Sequence, residues 1–302
     1  MVIILGPTAT GKTSLSVKLA YDFDGEIISA DSRQIYKGMD IGTGKDLDDY
    51  IIHNQQINYH LIDILNPNTN YSVYQFKKDY EQVYKTIINN NKKPFLCGGT
   101  GLYIESVLLD YQIMTAPPNF NLRDKLETYS LLQLIQELKK INSSIFDPKY
   151  HTSKRRVIRS IEILLYDNST SINMNMQKTS TNKTLVIGIQ IDRKRNLELI
   201  KKRLIFRLKN GMVEEVEHLL KTGLSSKRLH YFGLEYKFIG KYLSQELSYD
   251  EMVEQLNIAI NRFSKRQMTF FRRMEKRGIK INWLKIKNYS DIKSLVNIHF
   301  NQ

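Results

Sequence analysis

Eight residues near the start of the chain, Gly6-Pro7-Thr8-Ala9-Thr10-Gly11-Lys12-Thr13, have the types and spacing of a phosphate grip. In the pattern G-x-x-x-x-G-K-[ST] the glycines let successive backbone N–H groups turn toward one anion, and the lysine adds a point charge to its oxygens. Thr13 offers a hydroxyl to Mg²⁺, whose remaining ligands would be phosphate oxygens and water. The unbroken apolar run from Val2 to Leu5 reads as a buried strand leading in, and the residues from Ser14 onward as a helix leading out. That setting favours a polyphosphate site over a Gly-rich turn without a ligand, but leaves the polyphosphate unnamed.

Two more positions reach the same edge if the strands run parallel. The run from Glu26 to Asp31 is strand-like and ends in an acid. Ligands of open α/β sheets sit beyond the carboxyl ends of the strands, so Asp31 should face the crevice that holds the phosphate loop. It would serve equally as the cap of a following helix. Pro94 to Cys97 forms another strand, and Gly98-Gly99-Thr100-Gly101-Leu102-Tyr103 a second strand-to-helix turn, which brings Thr100 in beside Asp31.

A chain of 302 residues can bury a sizeable core in one large domain, or in one domain carrying a smaller insert. Lys plus Arg number 45 against 31 Asp plus Glu, a net charge of +14 that suits a polyanionic partner such as nucleic acid. One cysteine, Cys97, excludes an intramolecular disulfide and a Cys-based zinc site, and its strand-like setting makes it a core residue. No apolar stretch approaches the roughly 20 residues of a membrane span, and the phosphate loop begins too early for a signal peptide. A cytoplasmic protein without membrane contact is expected.

Further elements complete the framework. Residues 37–49 read as an exposed loop and 59–65 as a short strand in which His60 is structural. Residues 72–89 carry a helical stripe through Val73, Phe76, Tyr80, Val83, Tyr84 and Ile87. Pro117 and Pro118 mark a boundary, after which 122–141 and 153–166 look helical and 168–183 is a polar connection. The segment 118–187 is therefore expected as a helical insert, with 1–117 and 188–302 forming the core. Within the insert Arg155, Arg156 and Arg159 share a helix surface, as a basic site or a solvated face.

Residues 184–191 return to the sheet, and the next helix carries Arg203 and Arg207 one turn apart, a fork for an oxyanion or a charged face. The last long helix, 248–277, opens with an S-x-x-E capping pattern and stops at Gly278. Its apolar stripe is Met252, Val253, Leu256, Ile260, Phe263, Phe270, Phe271 and Met274. Arg262, Lys265, Arg266, Arg272, Arg273, Lys276 and Arg277 lie opposite as an outward basic band. Gln267 falls inside the stripe, where it must bond within the core or reach the crevice.

Taken together, these stretches resemble the tRNA dimethylallyltransferase (tRNA isopentenyltransferase) family of bacterial type. The likeness rests on the phosphate loop, Asp31-Ser32-Arg33-Gln34-Ile35-Tyr36-Lys37-Gly38-Met39-Asp40-Ile41-Gly42-Thr43, the Gly98 to Tyr103 turn, the Arg203/Arg207 helix and Lys265-Arg266-Gln267-Met268-Thr269-Phe270-Phe271-Arg272. The eukaryotic type adds a C-terminal zinc finger that this chain does not show. One stretch departs from the family pattern. Where many members read Arg-x-x-Gly-Tyr-[Arg/Lys]-[Gln/Glu], this chain has His230-Tyr231-Phe232-Gly233-Leu234-Glu235-Tyr236, with His230 and Glu235 at basic positions. That departure bears on RNA contacts and fits a divergent paralogue.

The resemblance implies an α/β fold, a P-loop NTPase-like parallel sheet flanked by helices with an all-helical insertion domain that contacts the tRNA anticodon stem-loop. It implies dimethylallyl diphosphate as donor, N6 of adenosine 37 as acceptor, Mg²⁺ as cofactor, and a monomer. It assigns Asp31 as general base, Thr100 to positioning the acceptor, and Lys12, Thr13, Arg156 and Arg207 to the diphosphate. Ser32, Arg33, Gln34, Arg155, Arg156, Arg159, Lys265, Arg266, Gln267 and Arg272, with Asp31 itself, fall to the tRNA. An aromatic amine is a poor nucleophile, so such a site must act chiefly on the leaving group, and a carboxylate of ordinary basicity suffices for the proton. A P-loop small-molecule kinase, a prenyltransferase acting on free adenine nucleotides and a non-catalytic RNA-binding protein share parts of the pattern. The kinase has no need of the basic RNA-facing helix.

Overall fold

The computed structural model describes residues 1–109, 116, 119–166 and 184–301. They fall into two units, Met1–Leu109 with Lys178–Gln302, and Asp110–Gln177. The expected Pro117–Pro118 boundary and the 168–183 connection lie outside the described residues.

The first unit is built on β1 (Val2–Leu5), whose four apolar residues are all buried. Strands covered on both faces are apolar throughout rather than alternating, which is why the sequence here shows no period of two. The other strands are β2 (Gly25–Ser29), the short antiparallel pair β3 (Ile51–Ile52) and β4 (Gln55–Gln56), β5 (Tyr59–His60), β6 (Lys93–Gly98), β7 (Leu185–Ile189) and β8 (Asn282–Leu284). Six of them form one sheet in the order β5-β2-β6-β1-β7-β8, parallel at every pairing. In β1, Val2 pairs with Phe95 on one side and Leu185 on the other. The expected strand over 59–65 is shorter because Leu61 and Asp63 adopt positive φ, which ends the extended backbone. His60 is structural, its Nε2 lying 2.6 Å from Glu26 Oε2.

Three helices follow strands of this unit's first half: α1 (Lys12–Asp22), α2 (Val73–Asn89) and α3 (Gly101–Leu108). Ser72 caps α2 in a reciprocal bond with Gln75, and Phe76 of α2 stacks on Tyr103 of α3 with centroids 4.0 Å apart. The main core packs Leu15 and Leu19 of α1 against Val2, Ile4, Ile27, Phe95 and Ile187 of the sheet.

The second unit consists of α4 (Phe120–Glu127), α5 (Leu131–Ile141) and α6 (Lys154–Tyr166), closed on Leu126, Leu134, Leu138, Val157 and Ile161. The single helix expected over 122–141 is two. Ser130 accepts from Gln133 N while the Gln133 side chain accepts from Ser130 N, a capping box that starts α5 afresh. Buried Glu162 accepts from Asn119 N, Arg123 and Arg159. Burial opposes ionisation there, but these bonds hold the carboxyl below its usual range.

The remaining helices of the first unit are α7 (Arg193–Lys209), α8 (Met212–Lys221), α9 (Ser226–Phe232), α10 (Leu234–Leu243), α11 (Tyr249–Lys276) and α12 (Tyr289–Phe300). Ile292 and Val296 of α12 join the core beside α1. In α11 the capping box of Ser248 and Glu251 is present, and Met252, Leu256, Ile260, Phe271 and Met274 are buried. Phe263 lies at the edge of the stripe and is 41 % exposed, whereas Ser264 is buried. Two members of the outward basic band, still exposed, also reach back to a buried acid. Arg273 and Arg277 bond Glu105 of α3, a carboxylate with no exposure, at 2.8 and 3.0 Å. Charges buried to this degree need partners, and Glu105 recruits its own from α11. No helix among the described residues is long and apolar enough to cross a membrane.

The stretch 37–49, expected as an exposed loop, is pinned from two sides. Lys45 is fully buried, its Nζ donating to Tyr36 O at 2.6 Å, to Asp40 Oδ1 at 2.7 Å and to Asp63. Glu215 of α8 accepts from the N–H groups of Asp40, Ile41 and Gly42 at 2.7, 2.7 and 3.0 Å, and from the Tyr236 hydroxyl at 2.7 Å. Four donors on one carboxylate are worth far more than a surface ion pair. Glu215→Ala should lower stability by about 3 kcal/mol, with Glu215→Gln between it and wild type, read as shifts of the urea midpoint at constant slope.

Candidate active site

The carboxyl ends of β1, β2 and β6 open into one cleft of about 1030 Å³ in the first unit. This is the crevice that a parallel sheet creates where its strand order reverses. Thr8 to Thr13, Asp31 to Gln34, Thr100, Arg207, Arg266 and Gln267 all line it. Gly6 and Pro7 lie behind, Gly6 close against Ile189 and Pro7 with its carbonyl accepting from Thr10 Oγ1 and Lys12 Nζ, both at 2.8 Å. Lys265 and Arg272 are exposed and do not line the cleft. Arg155, Arg156 and Arg159 belong to the second unit. There Arg156 bonds Tyr150 O and Thr152, and Arg159 bonds Glu162 and Ala116 O.

The phosphate loop takes its shape from two left-handed residues, Ala9 (φ 62°) and Gly11 (φ 76°), before α1 begins at Lys12. No side chain caps α1 and no acid occupies its first turn, so its terminal amides remain available to an anion. Burial lowers the pKa of Lys12 to about 8, with Arg203 adding to the effect and Cys97 and Asp31 opposing it. Arg203 is brought down to about 10, by burial first and Arg207 second, and stays protonated at neutral pH. The site thus holds positive charge that an arriving anion would relieve.

Thr8 is gripped at each of its polar groups. Its N–H donates to Gln267 Oε1 at 2.9 Å, its carbonyl accepts from Asn196 Nδ2 at 3.0 Å, and its hydroxyl accepts from Arg203. Gln267 also donates from Nε2 to Gly99 O at 3.0 Å. Both alternatives for this residue therefore hold at once, since it bonds within the packed interior and forms part of the cleft wall. Asn196 and Ser264, bonded to each other at 2.6 Å, complete the grip. Neither was legible as a site residue, though Asn196 repeats the signal of Gln267, a polar side chain on a buried helix face.

The two arginines of α7 do different things. Arg203 touches the phosphate loop, while Arg207, singled out from the sequence, donates to Asp46 at 2.8 Å. Gly44, at φ 73°, makes room for Arg207, because a side chain there would run into the guanidinium.

Asp31 Oδ1 accepts from Arg33 N at 2.9 Å and so caps a turn, with no helix following, while still facing the cleft. Thr100 Oγ1 accepts from Ser32 N at 3.0 Å, locking the two strand ends together. Gln34 is spent on Ser29 Oγ and Gly44 O, both at 2.9 Å, and Arg33 lies over the Tyr231 ring. His230 and Glu235 also line the cleft. Burial raises the Glu235 carboxyl above its usual range despite Arg203 and Arg207.

The Thr13 hydroxyl bonds no other group among the described residues, which also contain no cluster of His, Cys, Asp or Glu able to hold a metal ion. The donor set fits a divalent cation carried mainly by ligand oxygens and water.

The family model described as IPP transferase matches residues 34–274, and that described as isopentenyl transferase matches residues 1–61. Among curated proteins, "tRNA dimethylallyltransferase 1" of Azobacteroides pseudotrichonymphae is 47 % identical over 305 residues, 99 % of this chain and 98 % of its own. "tRNA dimethylallyltransferase 2" of Phocaeicola vulgatus is 48 % identical over 288 residues, covering 94 % and 92 %. The solved tRNA isopentenylpyrophosphate transferase of Bacillus halodurans superposes with a TM-score of 0.70 at 28 % identity, over 99 % of this chain and 96 % of that one. A eukaryotic dimethylallyltransferase acting on tRNA shares the fold, with a TM-score of 0.75 at 20 % identity over 89 % and 69 % of the two chains.

Lys12 yields a pH test. A bound polyanion favours the protonated amine, and the free site loses that proton near pH 8. The advantage of wild type over Lys12→Met in binding inorganic diphosphate should be level below about pH 8 and shrink above it, by up to tenfold per unit. Calorimetric titrations across that range check this.

Proposed function

The chain belongs to the IPP transferase family, and from that premise we propose that it transfers the dimethylallyl group of dimethylallyl diphosphate to N6 of adenosine 37 beside the anticodon of tRNA. The observation that carries this reading is one cleft holding both a cationic phosphate loop and the Asp31–Thr100 pair. A kinase would share the loop, but the named relatives transfer a prenyl group.

In this reading the diphosphate leaves carbon as negative charge builds on its bridging oxygen. Lys12, the free amides at the start of α1 and Arg203 would stabilise that charge from fixed positions, which is where electrostatic catalysis gains most. Arg207 stands next to them, and its pairing with Asp46 keeps the guanidinium oriented while the site is empty. Mg²⁺ held by Thr13 would supply further positive charge to the phosphate oxygens.

Once N6 bonds to the allylic carbon, the nitrogen becomes acidic and Asp31 takes its proton. One carboxylate oxygen is fixed by Arg33 N–H, which leaves the other to face the acceptor. Thr100, fixed against the Asp31–Ser32 turn, would position the adenine. Extruding that base from the anticodon loop costs a few kcal/mol, offset by contacts to the RNA. Arg33, Arg266 and the exposed Lys265 and Arg272 supply cations of the right sign on the first unit, and Arg155 and Arg156 on the second, which we take as the tRNA-contacting insert, ending before β7 rather than at 187.

The decisive test incubates the protein with labelled dimethylallyl diphosphate, Mg²⁺ and bulk tRNA, then digests the RNA. N6-prenyladenosine is expected. Label appearing in free AMP, ADP or ATP in place of tRNA, or no product from folded protein, would overturn the reading. Asp31→Ala should bind tRNA normally yet lose between about 10²- and 10⁴-fold in kcat, whereas near-normal turnover would remove Asp31 from the role of base.

A further inference from the structure

Gln267 occupies a position that a helix stripe normally gives to an apolar side chain, between Ser264 and Phe271 on the buried face of α11. Only 8 % of it is exposed, and its amide is used in both senses. The carbonyl end accepts from the N–H of Thr8 in the phosphate loop, and the amino end donates to the carbonyl of Gly99 in the turn that carries Thr100. Those two loops leave neighbouring strands, β1 and β6, and among the described residues no other side chain hydrogen-bonds both. Gly99 is matched to this contact, since a side chain there would collide with Gln267 Nε2.

Two consequences follow from the geometry. With one bond at each end of its amide and a nearly buried position, Gln267 keeps one N–H and one lone pair at most for any other partner. In addition, Thr8 N–H is directed at protein rather than into the phosphate cradle, so it anchors the loop instead of binding the anion. Ser264, one turn earlier on α11, reinforces the anchor through Asn196, which bonds Thr8 O.

We infer that Gln267 is a positioning residue that clasps the phosphate loop to the Thr100 turn and so sets the distance between the departing diphosphate and the acceptor amine. The inference rests on the prenyl-transfer reading for what the two loops bind, but the clasp itself is a matter of two hydrogen bonds. Only a side chain with a donor and an acceptor at this reach makes both. Glutamate keeps the acceptor for Thr8 N–H and sets a carboxylate oxygen against Gly99 O. Methionine keeps the length and loses both bonds. Misplacement of reacting groups by about 1 Å can cost 10²-fold in rate without touching the chemistry itself.

The test compares wild type, Gln267→Met and Gln267→Glu in three measurements: tRNA binding, inorganic diphosphate binding, and kcat at saturating tRNA and dimethylallyl diphosphate. For Gln267→Met, kcat should fall by about 10²-fold and diphosphate binding by about tenfold, with the tRNA Kd within about threefold of wild type and far-UV circular dichroism unchanged. Gln267→Glu should lie between, because it restores the Thr8 bond alone, and it carries the test if the methionine variant fails to fold. Weakened tRNA binding with kcat at saturation unchanged would overturn the inference and return Gln267 to RNA contact. Unaltered diphosphate binding in both variants would overturn it too, and that arm needs no tRNA. A wild-type protein that binds diphosphate through an intact clasp yet prenylates no tRNA would refute the function reading instead.

Discussion

Like charges gathered in a confined cleft repel one another and lose hydration, and much of the surrounding structure answers that problem. Lys12, Arg203 and Arg207 line one cavity, and burial first, with repulsion between neighbouring cations adding to it, lowers the proton affinities of Lys12 and Arg203. Asp46 offsets part of it by pairing with Arg207. The start of α1, like those of α2 to α7 and α9, carries no acid in its first turn. An acid there would compete with an arriving anion for the same terminal amides.

Charges held against repulsion stay in place only if the backbone beneath them cannot yield. The bonds on Thr8, the Glu215 carboxylate beneath residues 40–42 and the buried Lys45 ammonium perform that function from three directions. Each uses an ionised or amide side chain to satisfy loop backbone, and the grips on Thr8 and from Glu215 come from elements remote in sequence, while Lys45 acts from within its own loop. The cleft can thus remain open and rigid when empty, the condition under which fixed dipoles and charges stabilise a transition state without reorganising.

Local patterns in the sequence were sufficient for the elements and for the residues at strand ends. The apolar run before the phosphate loop, the acid at the end of β2 and the S-x-x-E start of α11 each have a short-range physical cause and appear where expected. The break at Ser130 had an equally local signal in S-x-x-Q, overlooked because the apolar period runs through it. What periodicity could not show was pairing at a distance. Nothing near Arg273 or Arg277 points to Glu105, 168 and 172 positions away, and nothing near Glu215 points to Asp40. The same limit explains why Arg203 and Arg207, alike on a helical wheel, proved to hold different loops.

The place of β1 in the sheet also constrains how the molecule comes into being. Val2 to Leu5 must be flanked by β6 and β7, segments that leave the ribosome long after it does, the later one only after the whole second unit. Until then an apolar strand with two open edges has no native partner, and contacts of such long sequence separation form slowly. The phosphate loop hangs from that strand. Its shape is therefore a late event in biogenesis.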